Sequence, residues 1–274
     1  MLDGAARRYR LAAAGIAAAA AAAMLPVLVP AAASAQSSAH YVALGDSYSA
    51  GLGAGSYIGA SGSCDRSRDA YPARWAAANH PASYTAETCS GATTASVISS
   101  QLSALSAATT LVSITVGGND VGFSSVMQTC VLSPASSCAS AVHAAEGLIA
   151  GALPGELDHV LGGIRAAAPK ARVVVLGYPE LYDLGKSSSC FGLSTADRTG
   201  LDRAADQLDQ QIQLAAGRYG DVFADPRPAF AGHEICDPGR WLHSVDVLDI
   251  GESYHPTAAG QSGGYLPVFS RYAG

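Results

Sequence analysis

The sequence predicts an α/β protein, a three-layer α/β/α sandwich with a central five-stranded parallel sheet. Short apolar runs of strand length alternate with longer stretches that suit helices, which is the pattern of a parallel sheet covered by helices. In addition, the first three runs each end in a polar turn that contains glycine, at Gly45–Ser47, Cys89–Gly91 and Gly117–Asn119. Ligands of open α/β sheets bind outside the carboxyl ends of the strands, so we expect the three turns to converge on one site.

The predicted strands are short and bounded by turn residues. The first ends abruptly in Gly45–Ser47, and the fourth begins soon after Pro169 and has the strongest β signal in the chain. The predicted strands are His40–Leu44, Ser83–Thr88, Thr110–Val116, Arg172–Leu176 and Asp221–Ala224.

Helices are predicted between the strands, and no repeat or linker divides the chain. The long third region carries Gly and Pro interruptions and stops at Pro169, because a proline there breaks the helical hydrogen-bond pattern. The predicted helical stretches are Tyr71–Ala78, Thr94–Leu105, Ala139–Ala168, Thr195–Tyr219 and a last helix that begins near Pro256.

Residues 1–35 resemble a secretory signal peptide. Three arginines among the first ten residues precede an Ala-rich apolar run, and the small-residue triplet Ala33–Ala35 follows it. A membrane anchor is the alternative because the run approaches spanning length, but Pro26 and Pro30 interrupt it. We therefore expect cleavage before Gln36 and an extracellular protein without a stable membrane anchor. Export through the general or the twin-arginine pathway stays open.

The remaining chain, residues 36–274, is 239 residues long and suits one catalytic domain. Removal of a segment with three Arg and one Asp changes the net charge from −6 to −8. A mildly acidic protein is poorly suited to binding nucleic acid or an anionic membrane. Nothing in the sequence requires more than a monomer.

The six cysteines predict disulfides. An even number of cysteines in an exported chain favours disulfides over metal ligands, and neither a C-x-x-C pair nor metalloprotease histidine spacing is present. The glycines of Gly51–Gly55 lack the spacing of a dinucleotide-binding turn, so we expect no metal and no cofactor. We expect sequential pairing because each bridge would then join neighbouring elements. The expected bridges are Cys64–Cys89, Cys130–Cys138 and Cys190–Cys236.

Each candidate site residue has an ordinary structural explanation when it is taken alone. Ser47 could be a helix N-cap, and His255 followed by proline could begin a helix. Asn119 could be a turn residue, and Gly91 could supply a positive φ. Their joint occurrence at strand ends and near the carboxyl terminus favours catalysis, with Ser47 as a nucleophile that needs a base.

Four blocks together resemble the SGNH (GDSL) hydrolase superfamily, in particular its secreted actinomycete lipases and esterases. The blocks are Gly45–Ser49, Gly91, Gly117–Asp120 and His255-Pro256, and the resemblance covers nearly the whole mature chain. It implies a flavodoxin-like fold and a serine ester hydrolase that needs no cofactor.

The resemblance assigns a role to each block. Ser47 would attack an ester carbonyl, and His255 would take its proton and return it to the leaving alcohol. The backbone N–H groups of Ser47 and Gly91, with the side-chain amide of Asn119, would form the oxyanion hole. A glycine at position 91 would let the backbone approach the substrate closely.

Two residues depart from the family pattern. Tyr48 stands where the family name has leucine, and we expect this change to be tolerated. Glu252 stands where many members have the aspartate that orients the histidine. Either the Glu252 carboxylate or the backbone carbonyl of Ser253 would orient His255, and we favour the carbonyl, which makes a Ser47–His255 dyad.

The predicted function is that of a secreted lipase or broad esterase acting on a small-molecule or lipid ester, because the low charge around the predicted loops suits acyl chains. A phospholipase or a carbohydrate O-acetylesterase of the same fold is the alternative. Sugar sites favour aromatic platforms, and the only tryptophans are Trp75 and Trp241. A non-catalytic secreted binding module is a third interpretation, which the four intact blocks disfavour.

Overall fold

The computed structural model describes residues 38–189, 192–246 and 248–274. These residues form a five-stranded sheet in the order β2-β1-β3-β4-β5, and every neighbouring pair is parallel. The strands are β1 (His40–Gly45), β2 (Ser83–Ala86), β3 (Leu111–Thr115), β4 (Arg172–Leu176) and β5 (Val222–Ala224). The predicted fold class is thus confirmed, whereas the predicted signal peptide lies outside the described residues.

Helices cover both faces of this sheet. Helices α2 and α9 pack on one face, and α6 and α7 pack on the other, with α5 against α7. The helices are α1 (Ser47–Ala50), α2 (Tyr71–Asn79), α3 (Thr94–Ser96), α4 (Phe123–Leu132), α5 (Ala135–Ala150), α6 (Leu153–Ala167), α7 (Thr195–Arg218), α8 (Arg227–Phe230) and α9 (Leu266–Ala273). Shorter 3₁₀ and π segments are Gly59–Cys64, Val97–Gln101, Leu102–Ala104, Leu184–Ser189, Ile250–Glu252 and Gly260–Tyr265.

The central strands are buried along nearly their whole length, as a parallel sheet between two helical layers requires. Every residue of β3 is buried, and only the first residue of β4 is exposed. On the α2 and α9 face, the ring of Tyr41 contacts the rings of Trp75 and Phe269 at centroid distances of 5.3 and 5.5 Å. The sheet edge is therefore a rigid base for the turns that follow its strands.

The prediction that Thr94–Leu105 forms one regular helix is wrong. It is divided into α3, a π segment at Val97–Gln101 and a 3₁₀ turn. The side chain of Gln101 accepts a hydrogen bond from the Gly45 N–H (2.7 Å) and donates one to the Gly45 carbonyl (3.0 Å). The π turn lets the buried Gln101 amide form hydrogen bonds with the N–H and carbonyl groups of Gly45, the last residue of β1. Helical propensity alone does not reveal this contact.

Three other features of the helices differ from the prediction. Helix α4 was not predicted, and the predicted stretch Ala139–Ala168 is two helices, α5 and α6. The last helix does not begin at Pro256, because Pro256 pairs with Leu242 in an isolated β-bridge and the segment Gly260–Tyr265 precedes α9.

Two of the three predicted disulfides are confirmed. Cys64 is bonded to Cys89, and Cys130 is bonded to Cys138, which joins α4 to α5. Cys236 is disulfide-bonded, and its expected partner Cys190 lies outside the described residues. That third pairing stays a prediction. Within the described ranges, no helix combines the length and hydropathy that a bilayer span requires.

Candidate active site

The turn from β1 into α1 presents Ser47 at the sheet edge. Gly45 has a φ of 115°, and a Cβ at this position would collide with the backbone of Thr115 on the neighbouring strand. Asp46 then caps α1, since its carboxylate accepts a hydrogen bond from the Tyr48 N–H at 3.0 Å. Ser47 is consequently the first residue of a four-residue helix, at the switch point between β1 and β3 where ligands bind in this topology.

Asp46 holds this turn to two other strands. Its carboxylate accepts hydrogen bonds from the Thr115 hydroxyl (2.6 Å) and the Tyr178 hydroxyl (2.5 Å). Burial raises the pKa of Asp46 to about 6, and these hydrogen bonds oppose the rise. Since each of these hydrogen bonds fixes the turn, Asp46 has a structural role that positions Ser47.

His255 meets Ser47 from the far end of the chain. Its Nε2 lies 2.8 Å from Ser47 Oγ, and its Nδ1 lies 3.0 Å from the backbone carbonyl oxygen of Ser253. A carbonyl oxygen can only accept, so Nδ1 carries the proton and the Nε2 lone pair faces the serine hydroxyl. Burial, chiefly, lowers the pKa of His255 to about 4, so the imidazole is neutral at neutral pH.

The segment that carries His255 is irregular but fully hydrogen-bonded. The His243 N–H donates to the His255 carbonyl (2.9 Å), and the Tyr254 N–H donates to the His243 carbonyl (3.0 Å). Tyr254 has a φ of 69°, a left-handed conformation that is uncommon for a residue other than glycine. This turn brings the carbonyl of Ser253 to the ring of the residue two positions later, and the Tyr48 hydroxyl holds the Tyr254 carbonyl at 2.8 Å.

The Glu252 carboxylate does not contact the His255 ring. It accepts a short hydrogen bond from the Tyr57 hydroxyl, and its other oxygen lies 4.0 Å from His243 Nε2. Of the two groups considered for orienting His255, the structure therefore brings the Ser253 carbonyl to Nδ1.

The expected oxyanion donors lie on the turns after β2 and β3. Gly91 is exposed with a φ of 78°, and the Asn119 side chain donates to the carbonyl of the next residue, Ala92, at 3.0 Å. This bond uses one hydrogen of the Asn119 amide and leaves the other. The backbone N–H groups of Ser47 and Gly91 donate to no described residue. These donors are therefore available to a ligand.

The Cys64–Cys89 bridge and backbone contacts fix the loop that carries Gly91. The Cys89 N–H donates to the Gly45 carbonyl (2.9 Å), and the Ser90 N–H donates to the Cys64 carbonyl (3.1 Å). On the other side, Asp120 accepts hydrogen bonds from the Thr94 hydroxyl and N–H. Asp120 thus has a structural role in the turns, as Asp46 does.

An apolar cavity of about 70 Å³ opens beside these groups. The polar side chains of its wall include Ser47, Asn119 and His255, and most of the other lining residues are aliphatic or aromatic. The larger apolar side chains of the wall include Val121, Phe123, Val126, Ile149, Leu181, Leu201 and Leu208. A nucleophile at the mouth of such a cavity suits an ester with an apolar acyl chain.

Comparison with known proteins decides the family. Residues 43–262 match the GDSL-like Lipase/Acylhydrolase family. The chain belongs to this family. It is 54% identical over 230 residues to Lipase 1 of Streptomyces coelicolor (strain ATCC BAA-471 / A3(2) / M145) and 49% identical over 230 residues to a lipase of Streptomyces rimosus. Each alignment covers 84% of this chain and 85% of the relative.

Solved structures of GDSL relatives have the same fold. A phospholipase A1 from Streptomyces albidoflavus NA297 superposes with a TM-score of 0.83 at 52% identity, covering 85% of this chain and 98% of that one. An extracellular lipase from Streptomyces rimosus superposes with a TM-score of 0.83 at 48% identity, covering 85% and 99%. The chain is accordingly a GDSL serine carboxylic-ester hydrolase.

Sequence reasoning missed two tyrosines of this GDSL hydrolase. Tyr48, noted only as a departure from the family pattern, ties the serine turn to the histidine segment through its hydroxyl. Tyr178 accepts a hydrogen bond from the Gly118 N–H (3.2 Å) and donates one to Asp46, so it joins the serine turn to the Asn119 turn. The strand-end rule that selected Ser47 and Asn119 also selects Tyr178, because it follows β4.

One group of acidic side chains in the described part of the hydrolase has metal-ligand spacing. It consists of Asp183, Glu234 and Asp237. The ammonium group of Lys186 already contacts Asp183 (3.1 Å) and Asp237 (2.5 Å), so the cluster is compensated by a side-chain cation. It carries no argument for a cofactor in ester hydrolysis.

Proposed function

We propose that this hydrolase is an extracellular lipase that cleaves the acyl esters of lipids through an acyl-enzyme on Ser47. The proposal is supported above all by the 2.8 Å contact between Ser47 Oγ and His255 Nε2 at the end of an apolar cavity. The expected signal peptide and the extracellular lipase among the relatives support secretion.

In the first half of the reaction, Ser47 Oγ attacks the ester carbonyl while its proton passes to His255 Nε2. The oxyanion that forms accepts hydrogen bonds from the N–H groups of Ser47 and Gly91 and from the Asn119 amide. The Nε2 proton then moves to the alkoxy oxygen, the alcohol leaves and the acyl group stays on Ser47. The Ser253 carbonyl stabilises the imidazolium through its hydrogen bond with Nδ1.

In the second half, His255 Nε2 takes a proton from a water molecule that attacks the acyl-enzyme. A second tetrahedral intermediate collapses, the proton returns to Ser47 Oγ and the carboxylic acid is released. Because burial lowers its pKa, His255 is neutral at neutral pH, which is the form that can accept the proton.

The residues that line the cavity favour lipid over carbohydrate substrates. Trp75 is buried in the core against Tyr41 and Phe269, and Trp241 stacks on His233 at a centroid distance of 3.7 Å. Neither tryptophan lines the cavity, so neither forms a platform for a sugar ring there. The 52% identity to a phospholipase A1 favours glycerophospholipids as a second substrate class.

The test is hydrolysis of a p-nitrophenyl ester series from acetyl to palmitoyl, followed by triacylglycerol and phosphatidylcholine. We expect higher kcat/KM for longer acyl chains than for acetyl, and loss of all activity in Ser47→Ala. A fluorophosphonate ester should label the wild-type protein at Ser47, which a non-catalytic binding module would not permit. A maximum at the acetyl ester with activity on acetylated polysaccharide would overturn the assignment to lipids.

A further inference from the structure

Several aliphatic side chains point into solvent around the active-site entrance. Leu132, the last residue of α4, is 73% exposed, and Leu248 and Ile250 in one loop are 95% and 71% exposed. Val245 in the same loop is 37% exposed. These four residues are called the apolar rim below. Scattered exposed leucines are ordinary, but a group beside a substrate site marks a surface that meets an apolar partner.

A groove of about 450 Å³ connects the apolar rim to the catalytic pair. Helix α4 supplies Met127 and Val131 to one side of the groove, and the loop after Leu242 supplies Ile250. The groove also includes Phe123 and His255, and both residues line the acyl cavity as well. An apolar path thus runs from the rim to the serine.

Hydrogen bonds fix the loop that exposes these side chains. The Asp246 carboxylate accepts hydrogen bonds from the N–H groups of Leu248 (2.9 Å) and Asp249 (3.3 Å). The Asp246 N–H in turn donates to the Ser253 hydroxyl at 2.9 Å, next to the carbonyl that orients His255. These bonds hold the backbone of Leu248 and Asp249 at Asp246, and the side chain of Leu248 is exposed there.

The charges around the rim restrict what it can contact. Among the described residues that line the groove there is no Lys or Arg. The exposed part of the loop carries Asp246 and Asp249, and the net charge of the chain is −6. A surface of anionic headgroups would be repelled, because attraction to such a surface requires basic residues.

We propose that the apolar rim docks the hydrolase on an aggregated lipid whose headgroups carry no net charge, and that the ester enters the groove from that surface. The inference rests on the proposed lipid hydrolysis and adds the partner surface. Apolar side chains enter the interface, and the groove then leads the acyl ester to Ser47 without exposure to water.

The experiment measures partition onto sucrose-loaded phosphatidylcholine vesicles in the Ser47→Ala background, in which the lipid is not consumed. The rim variant is Leu248→Ser, since Leu248 is exposed and does not line the groove. The matched control is Leu214→Ser, which replaces a leucine that is 51% exposed and also does not line the groove. We expect the rim variant to bind about tenfold more weakly and the control to stay within about twofold.

Activity on the soluble ester p-nitrophenyl butyrate separates this proposal from the proposed function. With Ser47 restored, the rim variant should hydrolyse this ester within about twofold of the wild type while losing activity on phosphatidylcholine vesicles. Absence of soluble-ester hydrolysis in the wild type would contradict the proposed function instead.

Three results would overturn the docking proposal. The first is equal vesicle binding by the rim variant and its parent. The second is tighter binding to phosphatidylglycerol vesicles than to phosphatidylcholine vesicles. The third is a dimer of the parent in sedimentation that the rim variant dissociates, which would identify a second copy of the chain as the occupant.

Discussion

The two members of the proposed catalytic pair are held by different kinds of structure. Ser47 follows the end of β1, and its position is fixed by the sheet, the helix cap and the buried Asp46 carboxylate. His255 lies in a segment without regular structure. Single hydrogen bonds join His255 to His243 and Ser253, and one from the Tyr48 hydroxyl holds the preceding residue. The serine is thus placed by the regular geometry of the sheet, and the histidine by individual hydrogen bonds.

This difference has a consequence for mutation. Changes near Ser47 act on the fold, because the same residues close the edge of the sheet. Changes to the hydrogen bonds around His255 act on the orientation of one ring, because these bonds lie outside the sheet.

Removal of either member of the pair should abolish catalysis as if they were one unit. We expect Ser47→Ala and His255→Ala each to lower kcat by about 10⁴- to 10⁶-fold, and the double variant to be no worse than the single variants. Steady-state kinetics on a p-nitrophenyl ester measure this, with thermal unfolding as the control for the fold. Multiplicative losses in the double variant would mean that the two side chains act independently.

Asn119 tests the donors on the sheet edge. We expect Asn119→Asp to lower kcat by about 100- to 1,000-fold with a small change in KM, because a carboxylate of nearly the same shape donates no hydrogen bond to the oxyanion. Thr94→Val serves as the control, since it loosens the neighbouring Asp120 contact without touching the amide. A kcat loss below about tenfold in Asn119→Asp would remove Asn119 from the oxyanion hole.

Acid pH tests the burial of the histidine. Because protonation removes the base and His255 has a pKa of about 4, kcat/KM should stay near its plateau at pH 5 and fall below about pH 4. An ordinary histidine would already have lost about thirtyfold at pH 5. An inflection near pH 6.5 in the pH dependence of kcat/KM would contradict the buried neutral imidazole.

The same burial links pH to stability. The unfolded chain binds a proton on this histidine below about pH 6.5, whereas the folded protein binds it only near pH 4. The contribution of His255 to the free energy of unfolding is therefore fully present above about pH 6.5. It is lost as the pH falls from about 6.5 to about 4. Denaturant unfolding of wild type and His255→Ala between pH 4 and 7 measures the difference.

Tyr48 tests the contact that joins the two regions. In Tyr48→Phe the Tyr254 carbonyl loses its partner, and we expect kcat to fall about tenfold, with KM changed less. Tyr41→Phe is the matched control, because its hydroxyl is also buried and bonded, to Ser113 at 2.7 Å, but is remote from His255. Both variants should lose about 1 kcal/mol of stability. Equal kcat values in the two variants would show that Tyr48 only stabilises the fold.

Glu252 should have the smallest effect. We expect Glu252→Gln to keep kcat within about threefold, since the carboxylate contacts Tyr57 and the Ser253 carbonyl orients His255. Loss of an orienting carboxylate costs about 10⁴-fold in the serine proteases. A loss of that size here would assign the orienting role to Glu252.

The regular part of the molecule could be predicted from the sequence, and so could the residues at its strand ends. Strand β4 has the bounds that its apolar pattern predicts, and the turns after β1 and β3 carry the serine and the asparagine where expected. The reason is physical: apolar periodicity and turn residues are local properties, and parallel strands then bring their carboxyl ends to one edge.

The irregular part depends on contacts that have no local signal. The choice between Glu252 and Ser253 follows from the left-handed conformation of Tyr254, and a tyrosine gives no sign of that conformation in a sequence. The late start of α9 has a similar cause. The buried side chain of Gln261 in the preceding segment bonds the Tyr71 N–H and the Tyr48 carbonyl, so a distant contact decides the local geometry.

The separation of the pair by 208 residues also sets when the protein becomes active. Ser47 is synthesised early and His255 late. A nascent or truncated chain that ends before residue 255 therefore has the serine hydroxyl without its proposed base. We therefore expect hydrolysis only after the segment that carries His255 has folded against the turn that carries Ser47.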